Sequence, residues 1–344
     1  MVIVMLAITS ALLMSLTEST FISMRINRSA EQRIKAEYIL KSAFNVAQEL
    51  IKNDQPPDDI ITDNWMDYAS SRDIPASYLD VQEPNTAVKL LIKSEKGKIP
   101  IKAVANVTNP QWKRVLTNLF MGLGFDTEPR PDISATCRIE QPWHCSSAET
   151  VANLIDYLDP DDVNHTEPGN PVQGIESDLP QGERFRNNGQ IDALEELLLV
   201  PGFTPGRLNK IAQLVSVELP ATSAKVNVNA AAAPVLQALA ELFPGAVGLP
   251  ELGSTLESCA KSADPAIGPL RSQTMIQNCL AMRDPAWPAA QIALQMNPLV
   301  DFGGNLYRVI ARVEYGTGMA FMGTALYEKQ SGPQPLKLKS MFLY

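Results

Sequence analysis

Histidine is scarce in this chain: His144 and His165 are the only two among 344 residues. Neither stands in a nucleophile or metal motif, and there is no GxSxG, no HExxH and no glycine-rich phosphate loop. Each reads as a surface or loop residue, and no enzymatic constellation is expected. Basic charge is also short. The 29 Lys and Arg against 38 Asp and Glu leave a net charge of −9. A nucleic-acid binder needs a basic surface, so this balance argues against that class. No CxxC occurs, which excludes a zinc ribbon. Charge is missing altogether from Met1 to Thr17, and neither glycine nor proline appears before Pro56.

That last absence organises the N-terminal part. With no breaker, one helix spans the first 55 residues, a rod of about 75–80 Å at 1.5 Å per residue. Its uncharged first third is apolar all round. From Glu18 onward charges enter, and the apolar residues narrow to a stripe through Leu40, Ala43, Phe44, Ala47, Leu50 and Ile51. Spacing of three and four marks one helical face. The combination predicts a membrane-anchored stalk. A cleaved signal peptide fits poorly, because no basic segment precedes the apolar run and no small-residue cleavage site ends it. By charge alone Arg25 and Arg28 would sit on the cytoplasmic side. A basic leader preceding Met1 would reverse that orientation, and such a leader is expected. The stripe Leu40, Phe44, Ala47 and Ile51 is expected to pack against partner helices.

What the rest does contain is a normal globular composition, 45% apolar and 19% charged, over a length that suits two or three units. Val88–Ile92, a Glu95-Lys96-Gly97 turn and Ile99–Val104 predict a hairpin, with Pro100 confining the second strand to an edge. Helices follow. Asn109 and Pro110 open one whose stripe is Trp112, Val115, Leu116, Leu119 and Phe120. Ser146 or Ser147 caps a second, Ala148–Leu158. Others are predicted over Ile191–Val200, Arg207–Leu219, the alanine-rich stretch through Leu242, Met275–Met282 and Pro288–Gln295. Near the end, Tyr307, Val309, Ala311, Val313 and Tyr315 alternate with polar neighbours, the period of a half-buried strand. Strands over Ala320–Glu328 and Leu336–Tyr344 complete the pattern. Strands at both ends of a helical block predict an α+β unit with a helical domain inserted into it.

Three constellations remain. Four cysteines fall as two close pairs, predicting disulfides Cys137–Cys145 and Cys259–Cys279 in an oxidising compartment, with free buried thiols as the alternative. Asp156, Asp159, Asp161, Glu176 and Asp178 crowd a long loop rich in proline and glycine. Hard oxygen ligands on such a loop suit Ca²⁺, although a solvated acidic loop reads the same way without it. Leu194–Ile211, centred on Leu199-Val-Pro-Gly-Phe-Thr-Pro-Gly206, reads as a helix–hairpin–helix. In DNA-binding versions the hairpin amides meet phosphates, but here Glu195 and Glu196 accompany only Arg207 and Lys210.

Taken in order, these segments resemble the minor pseudopilin K family of type II secretion, also called general secretion pathway protein K. The apolar N-terminal helix is similar to that of type IV pilin-like proteins. Leu154-Ile-Asp-Tyr-Leu-Asp-Pro-Asp161 with Gly174-Ile-Glu176 resembles the family's D-W-x-D-x-D…G-A-E run. Glu195-Glu-Leu-Leu-Leu-Val-Pro-Gly-Phe-Thr204 resembles its E-L-x-x-V-x-G-M-T segment, and Val226-Asn-Val-Asn-Ala230 its I-N-V-N-T-A. Tyr157, Ile175 and Ala230 depart from the usual Trp, Ala and Thr. The resemblance implies a type IV pilin-like long helix plus antiparallel sheet, with a large inserted all-α domain of SAM-like, helix–hairpin–helix-like type. The expected boundaries are 1–55 for the anchor helix, 56–108 and 297–344 for the pilin-like part, and 109–296 for the insert. It further implies calcium in the insert, partnership with minor pseudopilins I and J, and no nucleic acid. The expected place is the inner membrane, crossed once, with the globular part in the periplasm and a structural role at the pseudopilus tip. The alternative is a membrane-tethered helix–hairpin–helix protein that handles DNA.

Overall fold

The computed structural model describes residues 2–53, 63–79, 86–105, 110–128, 145–159, 163–166, 172–175, 191–222, 224–249, 251–262, 264, 266–315, 318–330 and 336–344. They form two compact units. The smaller is Met1–Asn53, Asp67–Ile92 and Arg308–Tyr344, and the larger is Asp54–Met66 with Lys93–Tyr307. The larger unit is therefore an insertion into the smaller. Its edges lie at 93 and 307, outward of the expected 109 and 296.

The smaller unit is built on α1, Val2–Lys52, an unbroken helix as the absence of Gly and Pro allows, and also holds the single-turn α2, Ala76–Leu79. The apolar N-terminal part of α1 is exposed along its length. Burial begins at Ala36 and continues through Leu40, Ala43, Phe44, Ala47 and Ile51. That stripe lies against a five-stranded sheet of order β1 (Arg72–Asp73), β2 (Thr86–Ser94), β7 (Leu306–Tyr315), β8 (Ala320–Lys329) and β9 (Leu336–Leu343). β1 and β2 pair antiparallel with Arg72 opposite Leu90. β8 and β9 pair antiparallel from Gly323 opposite Leu343 to Lys329 opposite Leu336. Val88, Leu90 and Ile92, and likewise Val309, Ala311, Val313 and Tyr315, are the buried members of alternating runs. Gly323 is required by its neighbours. A Cβ there would lie 2.9 Å from the Phe44 ring and 2.8 Å from a Leu343 methyl.

The expected hairpin at 88–104 does not form. After β2 the chain turns through Glu95–Gly97 and enters the larger unit as β3, Ile99–Pro100, which pairs parallel with β4, Val215–Ser216. Ile101–Ala105 is then a 3-10 turn. Ile99, Ile101, Ala103 and Val104 are all buried and only Lys102 is half-exposed, so the run does not alternate as a half-buried strand would. The turn is no exposed tip either. Glu95 is buried, accepting from Lys98 Nζ at 2.8 Å and from Ser216 Oγ at 2.8 Å. A buried ion pair of this kind persists only when its remaining polar atoms are satisfied.

Helices make the larger unit. α3, Gln111–Gly122, buries the stripe Trp112, Val115, Leu116, Leu119 and Phe120. α4, Ser147–Leu158, opens on a capping box between Ser146 and Glu149. The helix expected over 191–200 is a 3-10 turn, Leu194–Leu199. The one expected over 207–219 ends early, as α5, Pro205–Ile211, before the chain extends into β4. β5, Val226–Asn227, pairs parallel with β6, Val300–Asp301. α6 (Ala233–Ala240), α7 (Leu252–Ala260), α8 (Gln273–Arg283) and α9 (Ala289–Met296) complete one continuous core. Gly253 permits the α6–α7 contact, since a Cβ there would reach 2.1 Å from the Ala233 carbonyl oxygen.

Candidate functional site

The acidic segment begins on the last turn of α4. Asp156 is buried, and its Oδ1 accepts the His165 backbone N–H at 2.6 Å. Gly174 N–H donates to His165 C=O at 2.9 Å, and Thr166 bridges Gln173. The loop after α4 thus folds back onto the helix with Asp156 as its anchor. Gly174 meets Asp156 so closely that a Cβ would sit 1.9 Å from Oδ2. Lys113 Nζ reaches His165 Nε2 at 2.5 Å. Asp159 caps the C-terminal end of α4, its N–H donating to Ile155 C=O at 2.8 Å. Asp161, Glu176 and Asp178 lie outside the described residues, which bring together no group of three His, Cys, Asp or Glu side chains able to hold a metal.

The segment read as a helix–hairpin–helix buries one of its cations, Arg207, and leaves the other, Lys210, at the surface. Arg207 is fully buried. Its guanidinium donates to Cys145 C=O at 3.0 Å, Gly202 C=O at 2.8 Å, Phe125 C=O at 3.0 Å and Glu128 Oε2 at 2.8 Å. It also stacks 4.6 Å over the Phe125 ring. Lys210 Nζ takes the other Glu128 oxygen at 2.8 Å. Burial opposes ionisation of Glu128, but the hydrogen bonds and charges of Lys210 and Arg207 outweigh it, and its carboxyl lies below the usual range. The sequence offered Arg207 as a weak phosphate contact. Its structural use left little local signal, because apart from Gly202 its acceptors lie 62 to 82 residues away in the chain.

The Val226-Asn-Val-Asn segment is a stitch. Asn229 is buried, donating to Leu270 C=O at 2.8 Å and Phe302 C=O at 3.0 Å and accepting from Leu270 N–H at 2.9 Å. Cys259 and Cys279 are disulfide-bonded, joining α7 to α8. Cys145 is also disulfide-bonded, and Cys137, its expected partner, lies outside the described residues.

The partner-helix stripe needs correction. Leu40, Phe44, Ala47 and Ile51 are buried at 1%, 2%, 0% and 0% exposure against the chain's own sheet. An alternating sheet face needs an apolar cover, and α1 supplies it. The outward face of the same stretch is different: Ile34 and Tyr38 are 56% and 68% exposed there, with Lys41 5.7 Å over the Tyr38 ring.

Similarity to a solved structure bears on the whole arrangement. The chain superposes on one from the crystal structure of the GspK-GspI-GspJ complex from the enterotoxigenic Escherichia coli type 2 secretion system. The TM-score is 0.61 at 16% identity, over 92% of this chain and 99% of that one. The fold is GspK-like. No protein-family model and no curated protein matches the chain. In this GspK-like fold the long helix, the antiparallel sheet and the further helices correspond to the α+β, pilin-like architecture expected above. Among the described residues, α1 is the one helix long and apolar enough to cross a membrane.

Proposed function

We propose that this chain is a minor pseudopilin of a type II secretion system, anchored in the inner membrane by α1 with its globular part in the periplasm, where it caps the pseudopilus tip. The observation that carries the reading is the GspK-like fold, shared across 92% of this chain and 99% of the other. Its role is structural: it supports export across the outer membrane without catalysing a reaction. Its partners are two smaller pseudopilins, of the I and J types. The face of α1 left for them is Ile34, Tyr38 and Lys41. The DNA-handling alternative is weakened by the buried Arg207 and by the pairing of the exposed Lys210 with Glu128, which leave the hairpin little net positive charge for a phosphate. Gold labelling of the chain on sheared pseudopili tests the placement. Label confined to filament ends is expected, and label distributed along filaments contradicts the reading.

The same reading carries a cation. Asp156, Asp159, Asp161, Glu176 and Asp178 would hold Ca²⁺, whose preference is for several hard oxygens. Asp156 and Asp159 share the end of α4, and the loop that carries the other carboxylates folds back onto Asp156 through His165 and Gly174. Bound calcium would pin the acidic loop to the helix. Calorimetry should register calcium binding, and a chelator should lower the melting temperature. No heat at millimolar calcium contradicts the site.

A further inference from the structure

β9 ends the order of the smaller unit's sheet, and no described strand pairs with its far side. Edge strands of this length are ordinarily blunted by charge, bulge or cover. β9 is blunted in its first half only. Lys337 and Lys339 stand there, and the register slips between Leu326 and Tyr327, leaving Lys339 with no residue opposite. From Ser340 the chain reads Ser-Met-Phe-Leu-Tyr, without charge or proline. Met341, Phe342 and Tyr344 are 39%, 56% and 69% exposed. Tyr344 and Met322 exchange both backbone hydrogen bonds, at 2.7 and 3.2 Å. Bonding alternates along an antiparallel pair, so Met341 and Leu343 turn their N–H and C=O groups outward.

We infer that Ser340–Tyr344 is a docking edge, which accepts an extended apolar segment of another protein as a sixth strand. The main chain supplies the pairing and the exposed side chains select apolar neighbours. Charge selects between occupants. β8 and β9 together carry Lys329, Lys337 and Lys339 against one acid, Glu328, which lies opposite Lys337 and 3.5 Å from Lys339. In a chain of net charge −9 this edge is locally basic. A second copy would bring its own lysines to it. A strand with carboxylates where it passes Lys337 and Lys339 is the complementary partner.

The test uses the full chain in detergent and a fluorescent peptide, Glu-Val-Glu-Val-Thr-Val-Thr-Val-Thr, read by anisotropy. Saturable binding is expected. The same peptide N-methylated at alternate amides should bind about tenfold more weakly or worse, the loss of one or two net backbone bonds. Met341→Pro removes an outward N–H and spares those given to β8, so it should weaken binding similarly. Lys337→Glu with Lys339→Glu should also weaken it. If a proline variant fails to fold, the N-methylated peptide reads the same point on the unaltered chain. Equal binding of plain and N-methylated peptides, or none at millimolar peptide, overturns the inference. So does self-association of the unliganded chain that Met341→Pro abolishes, which would make the occupant a second copy.

Discussion

Arg207 shows how much one side chain holds in the larger unit. Its guanidinium binds three backbone carbonyls from three separate segments and one carboxylate, with no exposure to water. Arg207→Leu should cost about 3–5 kcal/mol, since it strands the acceptors and Glu128 in a partly closed site. Urea unfolding at neutral pH measures it. Glu128 adds a pH dependence whose sign is fixed. Its folded pKa is lowered, so its contribution is present above the unfolded carboxylate value of about 4.3 and is lost as pH falls through the folded value. Glu128→Gln should lower stability at pH 7 and flatten its fall below pH 4.5, by melting temperature against pH. None of this was legible in the sequence. A buried arginine has the same letter as a surface one, and its partners lie on loops and helix ends that only the fold gathers. The cap of α4 was legible to within one residue, Ser146 or Ser147, because a cap is written beside the helix it opens.

At the scale of elements the reading succeeded where the pattern is long and local. A helix without a breaker, the Trp112–Phe120 stripe and the period-two run at 307–315 each specify themselves. It failed where burial is two-sided or short. Ile99–Val104 is apolar except for Lys102 and has no clear period, so periodicity could not separate a strand from a packed turn. The stripe on α1 was correctly seen as an apolar face, but its cover was misassigned, because amphipathicity says that a face is buried and not by what. Disulfide-linked α7 and α8 give a further prediction. Cys259→Ser with Cys279→Ser should lose about 2–4 kcal/mol. The measurement is equilibrium unfolding, and an unchanged midpoint would show that packing alone holds the pair.

The whole molecule is a helix-and-sheet unit interrupted by a larger helical one. On the proposed function that insertion is what stops growth: its bulk keeps a further subunit from adding above. Removing Glu95–Asn305 and joining the strands by a short turn should then yield a subunit that incorporates along the filament, visible by the gold labelling described above. The central claim is membership in a tip complex, and sedimentation tests it most directly. The full chain in detergent is mixed with two smaller pseudopilins, one of the I type and one of the J type. The account predicts a single 1:1:1 species. Three species sedimenting independently at concentrations well above micromolar would contradict it.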